Sequence, residues 1–61
     1  MLTAGRLAIA IGNEVLVRCE GWIITMIVRD AKQVWGNTRL EVGSEDMGWQ
    51  WVNLSRVIQA L

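Results

Sequence analysis

The chain has 61 residues, 52% of them apolar, and a formal net charge of zero. A domain this short buries only about 60% of the surface that its unfolded chain exposes, and a neutral chain has no long-range attraction to nucleic acid. One cysteine and no histidine exclude an intrachain disulfide and a zinc site of cysteine and histidine ligands, which leaves association between copies as a means of stabilisation.

The first half of the chain alternates apolar residues with the period of two that β-strands show. Residues 7–11 predict one strand, the Gly12-Asn13 pair after it is typical of a turn, and residues 14–19 predict a second strand. The next strand, over 22–28, is apolar on both faces, as in a central strand that is covered on both sides. In so short a chain we expect one of the two covers to be another chain.

The second half is divided by polar segments in the same way. Ser55 is positioned to cap a short helical turn in which Val57, Ile58 and Leu61 pack back onto the strands. Before that turn, the pattern predicts in chain order a turn over 29–33, a turn at Gly36-Asn37, a strand over 38–42, an acidic loop over 43–46 and a strand over 48–54.

Two stretches resemble small SH3-like barrels. The first is Gly12 with Val15 and Val17, and the second covers residues 51–57, Trp-Val-Asn-Leu-Ser-Arg-Val. The resemblance implies an all-β fold class, a small SH3-like antiparallel barrel of about five strands with a short C-terminal helical turn, forming a single domain over residues 1–61. Five short strands at hairpin spacing lead to the same expectation.

The stretch 49–52, Trp-Gln-Trp-Val, falls where plasmid-borne type II dihydrofolate reductases carry a Val-Gln-Ile-Tyr motif. These enzymes are tetramers of short SH3-like chains with one active site in a central pore. Gln50 matches the motif, whereas Trp51 replaces the isoleucine and Val52 the tyrosine, and the pore lysine aligns near residues 17–18. The resemblance implies, as an alternative function, an oligomeric enzyme whose site forms between chains.

A further pattern consists of Met1-Leu2, Arg6, Ile9, the run over 11–17, Gly36-Asn37, Arg39 and Gly43. In this pattern the chain resembles the carbon-storage-regulator family of RNA-binding dimers. The resemblance implies a strand-built homodimer that binds RNA.

The sequence predicts no catalytic residue, no metal site and no cofactor. A nucleophile needs an adjacent base, and the usual base, histidine, is missing. Cys19 alternates with Val15 and Val17, which is typical of a small buried apolar residue. The Glu45-Asp46 pair supplies fewer oxygen ligands than a calcium or magnesium ion requires.

The chain shows no targeting segment and no apolar stretch as long as a membrane span. Its longest apolar run, 22–28, is about a third of the length that a helix needs to cross a bilayer. We therefore expect a cytoplasmic protein in which Cys19 stays reduced.

Five residues are candidates for ligand contacts. Indole rings stack on bases or on arginine, and tryptophan and arginine also dominate the binding energy of protein interfaces. The alternative is that all four tryptophans are core or oligomer contacts. The candidates are Trp35, Trp49, Arg39, Arg29 and Gln50.

These observations predict a non-catalytic, homo-oligomeric binding module that contacts nucleic acid or a protein partner and does not enter a membrane. Neutral charge disfavours strong nonspecific binding to nucleic acid, but five of the six basic residues are arginines, and a local cluster of them could bind. Two alternatives stay open, namely the intersubunit enzyme and a structural protein whose interface is its function.

Overall fold

Strands account for most of the fold. A computed structural model describes residues 2–4 and 7–61, with side chains from Ile9 onward. It confirms the expected all-β architecture of about five antiparallel strands in one sheet, with a short helical turn near the C-terminus. The elements are β1 (Leu2–Ala4), β2 (Leu7–Ile9), β3 (Glu14–Cys19), β4 (Trp22–Val34), β5 (Asn37–Ser44), β6 (Gly48–Asn53), the 3₁₀ helix η1 (Leu54–Arg56) and β7 (Val57–Ala60).

The main sheet has the strand order β6-β5-β4-β3-β7 and is antiparallel throughout. Strands β3 to β6 form a meander, after which η1 turns the chain back so that β7 pairs with β3. Strands β1 and β2 form a separate hairpin. The central strand β4 is long enough to pair with β3 along its first half and with β5 along its second half.

The core lies on one face of this sheet. Alternation directs Val15 and Val17 of β3, Met26 and Val28 of β4 and their counterparts on the other strands to that face, since successive side chains of a strand point to opposite sides. All the buried core residues that the structure describes are aliphatic or methionine, and all four tryptophans lie outside the core. The core consists of Ile9, Val15, Val17, Met26, Val28, Leu40, Val42, Val52 and Val57.

The predicted turn over 29–33 is wrong, because these residues continue β4 through a β-bulge. The register passes from Val28 opposite Val42 directly to Asp30 opposite Glu41, so Arg29 is the extra residue. An unbulged strand would alternate from Val28 to Asp30 and turn that carboxylate toward the core. The bulge resets the alternation, so that Ala31 faces the core and Asp30 faces outward.

The turn between β4 and β5 lies one residue earlier than predicted. Trp35 and Gly36 form it, with φ angles of +53° and +79°. Positive φ at both central residues is the geometry of a type I′ turn, whose twist matches that of a β-hairpin. The Gly36-Asn37 pair therefore correctly indicates a turn, but Gly36 is its second central residue and Asn37 already begins β5.

The C-terminal segment differs from the expected helical turn over 55–61. The helical part is only the three residues Leu54–Arg56, and its cap is the Asn53 side chain, whose Oδ1 accepts a hydrogen bond from the Ser55 amide at 3.1 Å. The chain then re-enters the sheet as β7. Val57 joins the core as expected, whereas Ile58 and Leu61 are exposed.

Candidate functional site

The outward surface of β4, β5 and β6 carries two tryptophans and five charged side chains, one of which is Asp30. Trp49 and Trp51 share this surface because side chains two residues apart on a strand point to the same side. The next residue, Val52, points to the opposite side, into the core. We call this surface the aromatic face and define it by Arg29, Lys32, Arg39, Glu41, Trp49 and Trp51.

One end of the aromatic face is held by a cation stacked on an indole. Arg29 Cζ lies 4.4 Å from the centroid of the Trp49 ring. The same guanidinium donates from Nε and Nη2 to the two carboxylate oxygens of Glu41, each at 3.0 Å. Hydrogen bonding to Glu41 raises the pKa of Arg29 further above its ordinary value. Arg29 is thus charged at all physiological pH values and fixed in orientation by a two-point ion pair.

The middle of the aromatic face repeats this arrangement. Lys32 Nζ lies 4.1 Å from the centroid of the Trp51 ring, and Lys32 sits opposite Arg39 in the β4–β5 register. Arg39 Nε is buried and has no hydrogen-bond partner among the described residues. An unpaired buried donor carries a desolvation cost, and an acceptor supplied by a ligand would remove it.

Trp35 extends the aromatic face at the tip of the β4–β5 hairpin. Its side chain is 96% exposed, which is far from the half-buried state of the other two indoles. The tip lies three residues beyond the Lys32–Arg39 pair, about 10 Å along the strand. Between them, Gln33 Nε2 donates to Thr38 Oγ1 at 2.8 Å and braces the hairpin.

Gln50, the fifth candidate, lies on the other side of the sheet. It sits opposite the core residue Val42 and lines a cleft of about 450 Å³ together with Cys19, Ile24 and Met26. Cys19 is half-buried and packs against the core, although the prediction was a buried side chain. The structure thus places Arg29 against Trp49, Arg39 farther along the same surface and Trp35 at the hairpin tip. Gln50 points to the core side, where it lines the cleft together with Trp49.

Three members of the aromatic face were not among the predicted contact residues. Lys32 fell in the segment that was interpreted as a turn, and Glu41 was interpreted only as the exposed side of a strand. Trp51 was included only in the alternative in which all four tryptophans are core or oligomer contacts, but its ring lies outside the core, with Lys32 over it. The run Arg29-Asp30-Ala31-Lys32 contains a signal for the bulge. If Arg29 is counted as an extra residue, the small residue Ala31 takes the next inward position of the strand, and Asp30 and Lys32 take the outward ones.

Other kinds of site find no support in the described part of the chain. There, no three side chains of the histidine, cysteine, aspartate or glutamate type come together as a metal site would require. Residues 2–4 and 7–61 also contain no helix that is both long and apolar enough to cross a bilayer. The chain matches no protein family, no curated protein and no solved structure.

Proposed function

We propose that the chain is a non-catalytic, homo-oligomeric binding module whose aromatic face binds single-stranded nucleic acid. The observation that carries this proposal is a pair of indoles on one side of the sheet, each with a cation over its ring, together with a third, exposed indole at the tip of the β4–β5 hairpin. Proteins that bind single strands combine basic residues for the phosphates with aromatic platforms for the bases.

The spacing of the indoles fits this ligand. Trp49 and Trp51 are two residues apart on one strand, which places them about 7 Å apart. This distance is about twice the 3.4 Å rise per nucleotide of a stacked strand. It therefore fits two neighbouring bases with one side chain inserted between them. From Trp49 to the hairpin tip the face is about 20 Å long, enough for several nucleotides.

The charges of the face favour modest, salt-sensitive binding. Arg29, Lys32 and Arg39 supply three cations. Glu41 neutralises Arg29 in the free protein, and Asp30 is a second carboxylate on the outward surface. The ammonium of Lys32, an exposed side chain stacked on Trp51, is the group best placed to receive a phosphate oxygen. Because the whole chain is neutral, attraction would act only over this local surface.

The non-catalytic part of the proposal rests on the lack of an acid–base pair. The chain has no histidine, and Gln50 and Cys19 meet in a cleft whose other side chains are mainly apolar. We also propose that the fold is of the small SH3-like barrel type. The competing function is an intersubunit reductase of the type II dihydrofolate reductase kind. A spectrophotometric assay of NADPH oxidation with dihydrofolate separates the two, since measurable turnover contradicts a non-catalytic module.

The binding proposal is tested by fluorescence anisotropy with a short fluorescein-labelled single strand of mixed sequence. Trp35→Ala is the first variant, because the exposed ring makes no contribution to the core. Loss of one stacked base should weaken binding about 5- to 100-fold. Trp22→Ala, which removes an exposed indole outside the aromatic face, is the matched control and should bind as wild type.

The dependence on salt supplies a second readout. If three cations each contact a phosphate, a plot of the logarithm of the association constant against the logarithm of the salt concentration should have a slope of about −2. Arg39→Ala removes one contact and should make the slope less steep by about 0.7. No binding at low salt, or equal affinities for wild type and Trp35→Ala, would contradict the proposal and assign the aromatic face to a protein partner.

A further inference from the structure

A second outward surface, formed by the first half of β4 and by β3, is aliphatic. Ile23 and Ile27 are 61% and 39% exposed, with Thr25 between them. Leu16 lies beside them on β3 and is half-buried. Ile58, at the bulge in the neighbouring strand β7, is a further exposed isoleucine. We call this surface the aliphatic face and define it by Glu14, Leu16, Arg18, Ile23, Thr25 and Ile27.

The register of β3 and β4 gives this surface an internal pattern. Glu14 sits opposite Ile27, Leu16 opposite Thr25, and Arg18 opposite Ile23. The β4 row therefore reads isoleucine, threonine, isoleucine and is symmetric about its centre. The β3 row reads glutamate, leucine, arginine and has opposite charges at equal distances from its centre.

Such a pattern is complementary to itself. Consider two copies with their sheets stacked and a two-fold axis in the plane between them. The axis runs across the strands and passes over the Leu16–Thr25 pair. Rotation about it reverses the strand direction. It lays β3 of one copy over β3 of the other, so Glu14 of one faces Arg18 of the other. The same rotation lays Ile23 over Ile27. Sheets that pack face to face lie about 10 Å apart with strands within about 30° of alignment, so these pairs stay within reach.

The charged residues of the β3 row are free to make these pairs. Neither Glu14 nor Arg18 has an ion-pair partner among the described residues, and both are exposed. In the described part of the chain, the only side-chain hydrogen bond at Arg18 is the one that Arg56 Nε donates to its backbone carbonyl oxygen at 3.0 Å. Its guanidinium is therefore available to a carboxylate.

We propose that a second copy of the chain covers the aliphatic face through this two-fold arrangement, with two intermolecular Glu14–Arg18 pairs flanking an isoleucine and leucine centre. An isologous interface of this kind is the commonest way in which soluble chains form dimers. The proposal identifies the surface for the self-association in the proposed function, and it is independent of what the aromatic face binds.

Charge reversal tests the arrangement by analytical ultracentrifugation. Wild type should sediment as a dimer, with twice the 6.9 kDa mass of one chain. Glu14→Arg alone and Arg18→Glu alone bring like charges together twice in the interface, and each should raise the dimer dissociation constant at least about 10-fold. The double variant Glu14→Arg/Arg18→Glu restores both pairs and should return the constant to within about 3-fold of wild type.

A second pair of variants tests the apolar centre. Ile23→Glu should dissociate the dimer, whereas Ile11→Glu, at a similarly exposed isoleucine outside the face, should not. Circular dichroism melts establish that each variant is folded. A wild type that stays monomeric at high micromolar concentration would overturn the proposal, as would an oligomer that survives Ile23→Glu or a double variant that fails to re-form the dimer. Oligonucleotide anisotropy on the same samples reports on the aromatic face separately.

Discussion

The two halves of β4 share one core but present different surfaces to the outside. Up to Val28 the outward residues are Ile23, Thr25 and Ile27, and they adjoin the aliphatic row of β3. Beyond Arg29 the outward residues are charged, and they adjoin the tryptophans of β6 across β5. Both halves contribute inward residues to the same buried cluster. One strand can therefore serve two surfaces of different chemistry.

The boundary between the two surfaces is the bulge at Arg29. The extra residue lets an arginine reach Glu41 and Trp49 while Asp30 and Lys32 stay out of the core. Burying an unpaired charge would cost several kcal/mol, so the alternation could not continue through this point without the bulge. Bulges re-aim side chains near functional sites, and here one separates a self-complementary surface from a cation–indole surface.

The largest effect is expected from breaking the core that the two halves share. Leu40 is fully buried opposite Ala31 and Val52, directly beneath the aromatic face. Leu40→Ala should lower the free energy of unfolding by about 2–5 kcal/mol, measured by urea denaturation. Leu61→Ala, at an exposed leucine, is the control and should have little effect.

The same variant shows whether the halves are one folding unit. If they are, Leu40→Ala abolishes self-association and oligonucleotide binding over the same range of urea concentration. Loss of oligonucleotide binding from a chain that remains dimeric would show that the two surfaces belong to separately stable parts, contrary to a shared core.

The next largest effect is expected at the junction of the two surfaces. Gly43 pairs with Ile27 on one side and with Trp49 on the other, and its φ of +154° is unfavourable for any residue with a Cβ. A Cβ built on it would also overlap the carbonyl oxygen of Gly48. Gly43→Ala should therefore destabilise the fold by about 3 kcal/mol and shift Trp49 fluorescence.

The control for this substitution is Gly21→Ala. Gly21 has a φ of +83° but open space around the added Cβ, so it should show only the backbone penalty of about 1–2 kcal/mol. A Gly43→Ala variant that is no less stable than Gly21→Ala in a thermal melt would mean that the β5–β6 hairpin can relax around the new methyl group.

Short-range sequence patterns predicted most of the strands, but they could not predict how far each strand continues. Strand β3 has the predicted bounds, since its alternation is regular and polar residues flank it. The predicted strand ends at Val28, six residues before the end of β4, because a bulge depends on pairing with β5, which the local sequence does not reveal. The C-terminal residues 57–60 were interpreted as helical because their strand partner, β3, is distant in sequence.

The candidate site was predictable to a similar extent. Trp49 and Arg39 were identified because alternation and exposure on a strand can be obtained from sequence. The cation–indole contacts could not be obtained, because they depend on which strands are neighbours and in which register. Gln50 matches the reductase motif, but it points to the core side of the sheet, whereas Trp49 and Trp51 alternate to the outward side.

The smallest effect is expected at Cys19, which belongs to neither surface. It ends β3 opposite Trp22, packs against the core and lines the cleft. Removing a sulfur from a side chain that is already partly open to solvent leaves a small, water-accessible gap, so Cys19→Ala should lower the free energy of unfolding by about 1 kcal/mol, at the low end for small cavity changes. Because the thiol lies on the core side of the sheet, sedimentation and oligonucleotide anisotropy should be unchanged. If the variant instead loses either association with its stability intact, the cleft around Cys19 must take part in binding, and the division of function between the two outward surfaces would be incomplete.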